Sequence, residues 1–253
     1  MAHIGVIEEL LKDGYEIESV VGCSMGAVIG GMYCAGHLPV YRDWLLSLTK
    51  NNIFKLLDFT LSNVGFLKGE RVLGKMHDFT GDQLIESMRI PFVAVATNIV
   101  TGEEVYFRDG DLYSAMRASI SIPGLFTPVI NGDRVLVDGG IVNPLPLNLV
   151  VKSKDTLVVA VSLNGRENNV LEINHNPKVS SPKYSVVDLL TNSYELTQDR
   201  LVELTINHYK PDLVVDIPRT SCTIYDFHKA SQMIDLGRQL YRARMDNYKL
   251  KLS

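Results

Sequence analysis

The spacing of apolar and polar positions changes several times along the chain, and each change marks an element. Ile4, Ile7 and Leu11 recur at helical spacing, with Glu8, Glu9 and Lys12 mostly on the other side, which predicts a helix over His3–Leu11. Gly14 supplies its stop. Ile17–Val21 is a short β-branched apolar run and reads as a buried strand. A turn over Gly22–Gly26 leads into a helix over Ala27–Cys34, and helical patterns fill Val40–Leu57 and Glu70–Phe79. Phe92–Val100 and Glu104–Phe107 read as strands joined at Thr101-Gly102, and Asp111 caps a helix running to Ala118. Asn131-Gly132 predicts a hairpin between Phe126–Ile130 and Arg134–Val137, both turn positions favouring positive φ. Thr156–Leu163 reads as a strand and Asn164–Lys183 as a polar surface loop. Tyr184–Tyr209 reads as a long amphipathic helix, Leu213–Ile217 as a last strand and Lys229–Leu250 as a terminal helix. Buried strands alternating with helices predict an α/β fold: a three-layer α/β/α domain with a mostly parallel central sheet.

Composition narrows the class. At 46% apolar and 21% charged residues the chain is ordinary for a globular protein, and 253 residues bury a core without a disulfide or metal staple. No linker or repeat divides it, so a single domain over residues 1–253 is expected. The net charge is 25 − 29 = −4 with no basic block, which argues against a nucleic-acid partner. Cys23, Cys34 and Cys222 match neither a disulfide framework nor a metal pattern, and free thiols suit a cytoplasmic protein. The acidic Glu8, Glu9 and Asp13 do not suit a signal peptide. Ser19–Tyr41 carries no Asp, Glu, Lys or Arg, but its glycines and Pro39 fit a buried strand–turn–helix better than a membrane span. The motifs point to no metal and no organic cofactor.

The chemistry gathers at Gly22-Cys23-Ser24-Met25-Gly26, a GxSxG motif between a predicted strand and a predicted helix. In that context the glycines permit a sharp turn, the serine hydroxyl stands exposed, and the N–H of the next residue, Met25, faces the same space. A tight glycine-rich core turn is the competing reading. A serine nucleophile needs a base. Asp138, at a strand end before Gly139 and Gly140, is one candidate, although Asp-Gly is also an ordinary turn. The order Ser24, Asp138, then His208 or His228 keeps a hydrolase triad open, with a surface or packing role as the alternative for either histidine. Cys23 reads as a small packed residue pointing away from the site.

Taken together the sequence resembles the patatin-like phospholipases. Four blocks carry the resemblance: Ala2-His3-Ile4-Gly5-Val6 leading to the GxSxG turn; Ala96-Thr97-Asn98-Ile99-Val100-Thr101-Gly102; Ala118-Ser119-Ile120-Ser121-Ile122-Pro123-Gly124-Leu125-Phe126; and Val137-Asp138-Gly139-Gly140 with Asn143-Pro144-Leu145-Pro146. They span about residues 2–160 in family order; the segment 165–253 has no matching motif. The resemblance implies a Ser–Asp dyad without histidine. Ser24 attacks an acyl carbonyl, Asp138 takes and returns the proton, the Met25 N–H supports the oxyanion, Gly22 and Gly26 shape the elbow, and Gly139 and Gly140 aim the base. The implied substrate is a phospholipid or related acyl ester, with transient contact at a membrane surface. The family places a strand and a glycine-rich oxyanion loop before the position of Ala2-His3, and this chain shows neither. Two expectations follow: a natural protein that extends upstream, or a chain of the same fold that binds lipid with impaired catalysis. Apolar residues in Trp44–Leu67 are candidates for an acyl pocket, His3 reads as a helix-start residue, and the basic residues of the terminal helix read as a solvated face or a lipid-headgroup contact.

Overall fold

A computed structural model describes residues 1–62, 65–165, 185–223 and 226–252. The chain runs α1 (Ala2–Lys12), β1 (Val20–Cys23), α2 (Met25–Cys34), α3 (Leu38–Ser47), α4 (Lys50–Leu56), β2 (Phe59–Ser62), β3 (Gly65–Leu67) and α5 (Glu70–Thr80). It continues β4 (Phe92–Asn98), β5 (Glu103–Phe107), α6 (Leu112–Ser119), β6 (Val129–Asn131), β7 (Arg134–Asp138), β8 (Val159–Gly165), α7 (Val186–Tyr209), β9 (Leu213–Pro218) and α8 (Ala230–Leu252). The α/β class holds, but the main sheet is mixed. In the order β1-β4-β7-β6, with β5 also on β4, only β1–β4 is parallel. The cause is local. The turns at Gly102 (φ +76°) and Gly132 (φ +62°) reverse the chain directly, so hairpins replace helical crossovers there. The second hairpin turns one residue later than the pattern predicts, because Asn131 pairs with Arg134 and leaves Gly132-Asp133 as the loop. β8 and β9 form a separate parallel pair.

That pair shows the layering most clearly. Leu213, Val215 and Ile217 of β9 join Ile234, Tyr241 and Met245 of α8 in the main core. Ala160 and Val214 face the other way, toward Val202 and Ile206 of α7. Period-two alternation between two helices is the expected signature of a strand covered on both faces.

Terminal helices α1 and α8 cross closely. A Cβ on Gly5 would strike the Ile234 carbonyl oxygen, and one on Gly237 would strike that of Ala2. The basic stripe of α8 is ion-paired to α1 rather than simply solvated. Arg242 grips Glu9, which is 5% exposed, at 2.5 and 2.6 Å, Arg238 bonds Glu8, and Lys249 reaches Asp13. Most of the predicted Asn164–Lys183 loop lies outside the described residues. Among the described residues, no helix is long and apolar enough to cross a membrane.

Candidate active site

The site is built where β1 runs out. β1 can pair with β4 only from Val20, opposite Phe92, so the strand is displaced from the predicted Ile17–Val21 and ends at Cys23, opposite Val95. The next residue, Ser24, takes φ +54° and ψ −122°, a conformation that costs a non-glycine residue about 1–3 kcal/mol. The turn into α2 is so tight that a Cβ on Gly22 would lie 2.5 Å from the carbonyl carbon and oxygen of Gly26. Gly26 itself has room: an added methyl meets only His3 Nε2, at 3.8 Å.

Ser119 of α6 anchors the strained turn. The Ser24 N–H donates to Ser119 Oγ at 2.9 Å, and the Ser119 hydroxyl donates to the Val95 carbonyl at 2.6 Å. The Ser24 hydroxyl makes no capping bond to α2. The first-turn N–H groups of a helix have no intrahelical acceptor, so the Met25 N–H beside Ser24 is free of such a bond.

Asp138 closes β7 opposite Ala96 and is 1% exposed. A turn through Gly139 then passes so close to β4 that a Cβ there would strike the Val95 carbonyl oxygen and come within 3.1 Å of Cys23 Sγ. This crossing brings the Asp138 carboxylate back over Val95 to the end of β1. Oδ1 accepts the Gly140 N–H at 2.7 Å and lies 3.8 Å from the Cys23 thiol. Oδ2 is buried without a hydrogen-bond partner. Burial pushes the carboxyl up from its ordinary range to about 6, against the neighbouring Ser24 hydroxyl, the Gly140 N–H and the Cys23 thiol, which pull it down. The Ser24 hydroxyl is therefore close enough to bear on Asp138, yet forms no bond of good geometry with Oδ2. Catalytic hydrogen bonds are commonly long without substrate and tighten when it binds.

The structure thus brings together Gly22, Ser24, Met25, Gly26, Asp138, Gly139 and Gly140. Cys23 does not point away, as strand alternation suggests; the Gly139 crossing puts Asp138 beside it. Its thiol is pushed far up by burial and by the Asp138 charge, so it stays neutral. Three more residues join the site without a legible signal: Ser119, and Tyr194 and Gln198 of α7, which border Gly140. Ser119 lies in the Ala118–Phe126 segment that carries the family resemblance, but only the fold shows what it holds. His208 is exposed and stacks edge-on against Tyr209, while His228 faces Asp226 at 3.9 Å. Neither is among the groups acting on Asp138. His3 packs on the elbow instead of merely opening a helix. Its Nδ1 is enclosed without a partner, and burial pushes the ring down to about 3.

A small apolar crevice of about 20 Å³ lies among Trp44, Leu48, Ile53, Leu57, Val72 and Phe227, partly in the region expected to supply an acyl pocket, and it is too small to hold an acyl chain. Among the described residues no group of three or more His, Cys, Asp or Glu is arranged to hold a metal ion.

A family model described as patatin-like phospholipase matches residues 1–151. An uncharacterized NTE family protein of Mycobacterium tuberculosis is 30% identical, over 98% of this chain and 89% of that protein. The neuropathy target esterase sws of Drosophila melanogaster is 27% identical over 67% of this chain and 12% of its own length. Among solved structures, VipD from Legionella pneumophila aligns over 98% of this chain and 64% of that one, at 13% identity and a TM-score of 0.49. A matched region that contains the GxSxG elbow, Ser119 and the Asp138 turn settles the assignment: the chain belongs to the patatin-like phospholipase family.

Proposed function

We propose that the protein is a serine lipid acyl hydrolase that cleaves carboxylic esters of phospholipids or related lipids through Ser24 and Asp138. The observation that carries this reading is the unequal state of the two Asp138 oxygens. Oδ1 is held by the Gly140 N–H, while Oδ2 is buried, unpartnered and beside a serine hydroxyl on a strained elbow. A carboxylate raised to about 6 is a better base than a solvated one and is still ionised at neutral pH. In the first half-reaction Oδ2 takes the Ser24 proton as Oγ attacks the acyl carbonyl. The Met25 N–H stabilises the tetrahedral oxyanion, and the proton passes to the leaving alcohol. In the second, Asp138 takes a proton from water as the water oxygen attacks the acyl-serine, then returns it to Ser24 Oγ as the acyl–oxygen bond breaks and the fatty acid leaves. The partner is a lipid or acyl-ester substrate, met at a membrane surface, and no nucleic acid is involved.

Turnover of a short and a long p-nitrophenyl acyl ester tests the reading, with Ser24→Ala as the blank. Asp138→Asn is expected to lose about 10²–10⁴ in rate, the usual contribution of a positioned base. His208→Ala and His228→Ala are expected to keep the parent rate. Parent turnover equal to the blank would sink the enzymatic reading, and loss in either histidine variant would replace the dyad with a triad.

A further inference from the structure

Residues beyond 151 lie outside the family match, yet α7 returns two of its side chains to the base. A Cβ placed on Gly140 would strike Gln198 Nε2, lie 2.9 Å from Asp138 Oδ1 and lie 3.3 Å from the Tyr194 hydroxyl oxygen. These three polar groups border one methyl-sized volume. Gln198 Nε2 donates to the Tyr194 oxygen at 2.7 Å and to the Gly140 carbonyl at 3.3 Å. Gly140 is thus held at both ends, its N–H on Asp138 Oδ1 and its carbonyl on Gln198. Because Gln198 fills an acceptor site of the Tyr194 oxygen, the phenol keeps its own proton as a donor. Burial, and then the Asp138 charge, hold that phenol neutral by raising it.

We propose that Tyr194 and Gln198 are positioning residues for the Asp138 base: through Gly140 they fix Oδ1 and keep water from it, leaving Oδ2 for the Ser24 proton. This inference rests on the Ser24–Asp138 reading above. An apolar wall would exclude water as well, but it would not tie the Gly140 carbonyl. A glycine turn tied only at its N–H could swing and carry Oδ1 with it. The groups facing Asp138 are the Cys23 thiol from β1, the Ser24 hydroxyl at the elbow, the Gly140 N–H from its own turn and the Tyr194 phenol from α7. Behind them, Glu104 of β5 acts on Cys23 and Arg219 acts on Tyr194. Shortening Gln198 to alanine removes none of these groups and chiefly admits water, which lowers a buried carboxyl toward its ordinary pKa of 3.8.

The full chain is assayed with p-nitrophenyl butyrate as parent, Tyr194→Phe, Gln198→Ala and the Ser24→Ala blank. Each α7 variant is expected to lose roughly tenfold in kcat, the effect of one lost hydrogen bond, with KM little changed. In Gln198→Ala the acid limb of the kcat/KM profile is expected to move to lower pH. Titration of a 13C-labelled Asp138 carboxyl by NMR gives a readout independent of turnover, and it is expected to move the same way. Tyr194→Phe removes only an oxygen and keeps the core filled, so it reports even if Gln198→Ala fails to fold. Parent kcat in both variants, with an unmoved Asp138 titration, would overturn the proposal while a dead Ser24→Ala left the dyad standing. Turnover surviving in Ser24→Ala would instead overturn the dyad on which it rests.

Discussion

Ser24 is held where a side chain is unwelcome, and the strain has a measurable sign. At φ +54° a Cβ is penalised and glycine is not, whereas Ala keeps the penalty and loses only the hydroxyl. Ser24→Gly and Ser24→Ala are both expected to be inactive, with the glycine variant more stable by about 1 kcal/mol in urea unfolding. Equal stability, or a more stable Ala variant, would show that the elbow is unstrained. Asp138 stores a second cost, and its linkage runs opposite to that of an ion-paired carboxylate. Its folded pKa, about 6, lies above the ordinary value of 3.8, so between those pH values the folded chain binds more protons than the unfolded one. The Asp138 contribution to stability is therefore greatest below about pH 4, is lost as pH rises to 6, and is flat above. Activity has the reverse dependence, because the base must be ionised: kcat/KM is expected to rise through about pH 6 to a plateau. Asp138→Asn should abolish that rise together with most turnover, and should unfold at higher denaturant than the parent at pH 8. An Asn variant less stable than the parent at that pH would contradict the burial cost.

Elements were legible where they follow local rules and illegible where they depend on partners. The periodicity of α1, the Asp111 cap of α6 (its carboxylate accepts the Ser114 N–H at 2.7 Å) and the alternation of β9 are all written in neighbouring residues. The position of β1 is not, since Val20 rather than Ile17 meets Phe92 first, and only β4 decides that. The mixed sheet escaped for a similar reason: a buried apolar run such as Phe92–Val95 reads alike whether its neighbours run parallel or antiparallel. Helix packing was equally hidden. Nothing local marks Gly5 and Gly237 as the points where α1 and α8 touch backbone to backbone, or Glu9 as the buried partner of Arg242. These contacts give an element-scale prediction. Gly237→Ala is expected to destabilise the chain by about 1–3 kcal/mol or more, because the Ala2 carbonyl must move to admit the methyl. Gly74→Ala, where no atom lies within 4 Å of an added Cβ, is the control and should be neutral or slightly stabilising. Equal melting temperatures for the two would disprove the close crossing.

At the scale of the whole molecule, the site joins residues far apart in sequence. Cys23 and Asp138 are separated by 115 positions, and Gly140 and Gln198 by 58. The motifs gave Ser24, Asp138 and their glycines because those types are demanded by a turn or by the chemistry. They could not give Ser119, Tyr194 or Gln198, whose roles exist only once β4, α6 and α7 are packed. The main core makes the same point energetically. It contains Ile4 of α1, Ile29 of α2 and Met116 of α6 from the family-matched region, and Val215 of β9 and Tyr241 and Met245 of α8 from beyond it. Ile4, Ile29, Met116 and Val215 are fully buried, and Tyr241 and Met245 are each 1% exposed, so neither part can bury its apolar surface alone. The chain is therefore expected to unfold as a single cooperative unit. Fluorescence of Trp44, in the matched region, and far-UV circular dichroism, which reports all helices including α7 and α8, should give coincident urea transitions. A version ending at residue 151 should lack cooperative unfolding, because it would expose the faces of α1 and α3 that α8 covers. Two separated transitions in the full chain, or a cooperatively folded truncated form, would show that the matched region is a domain in its own right and that α7 reaches the base from outside it.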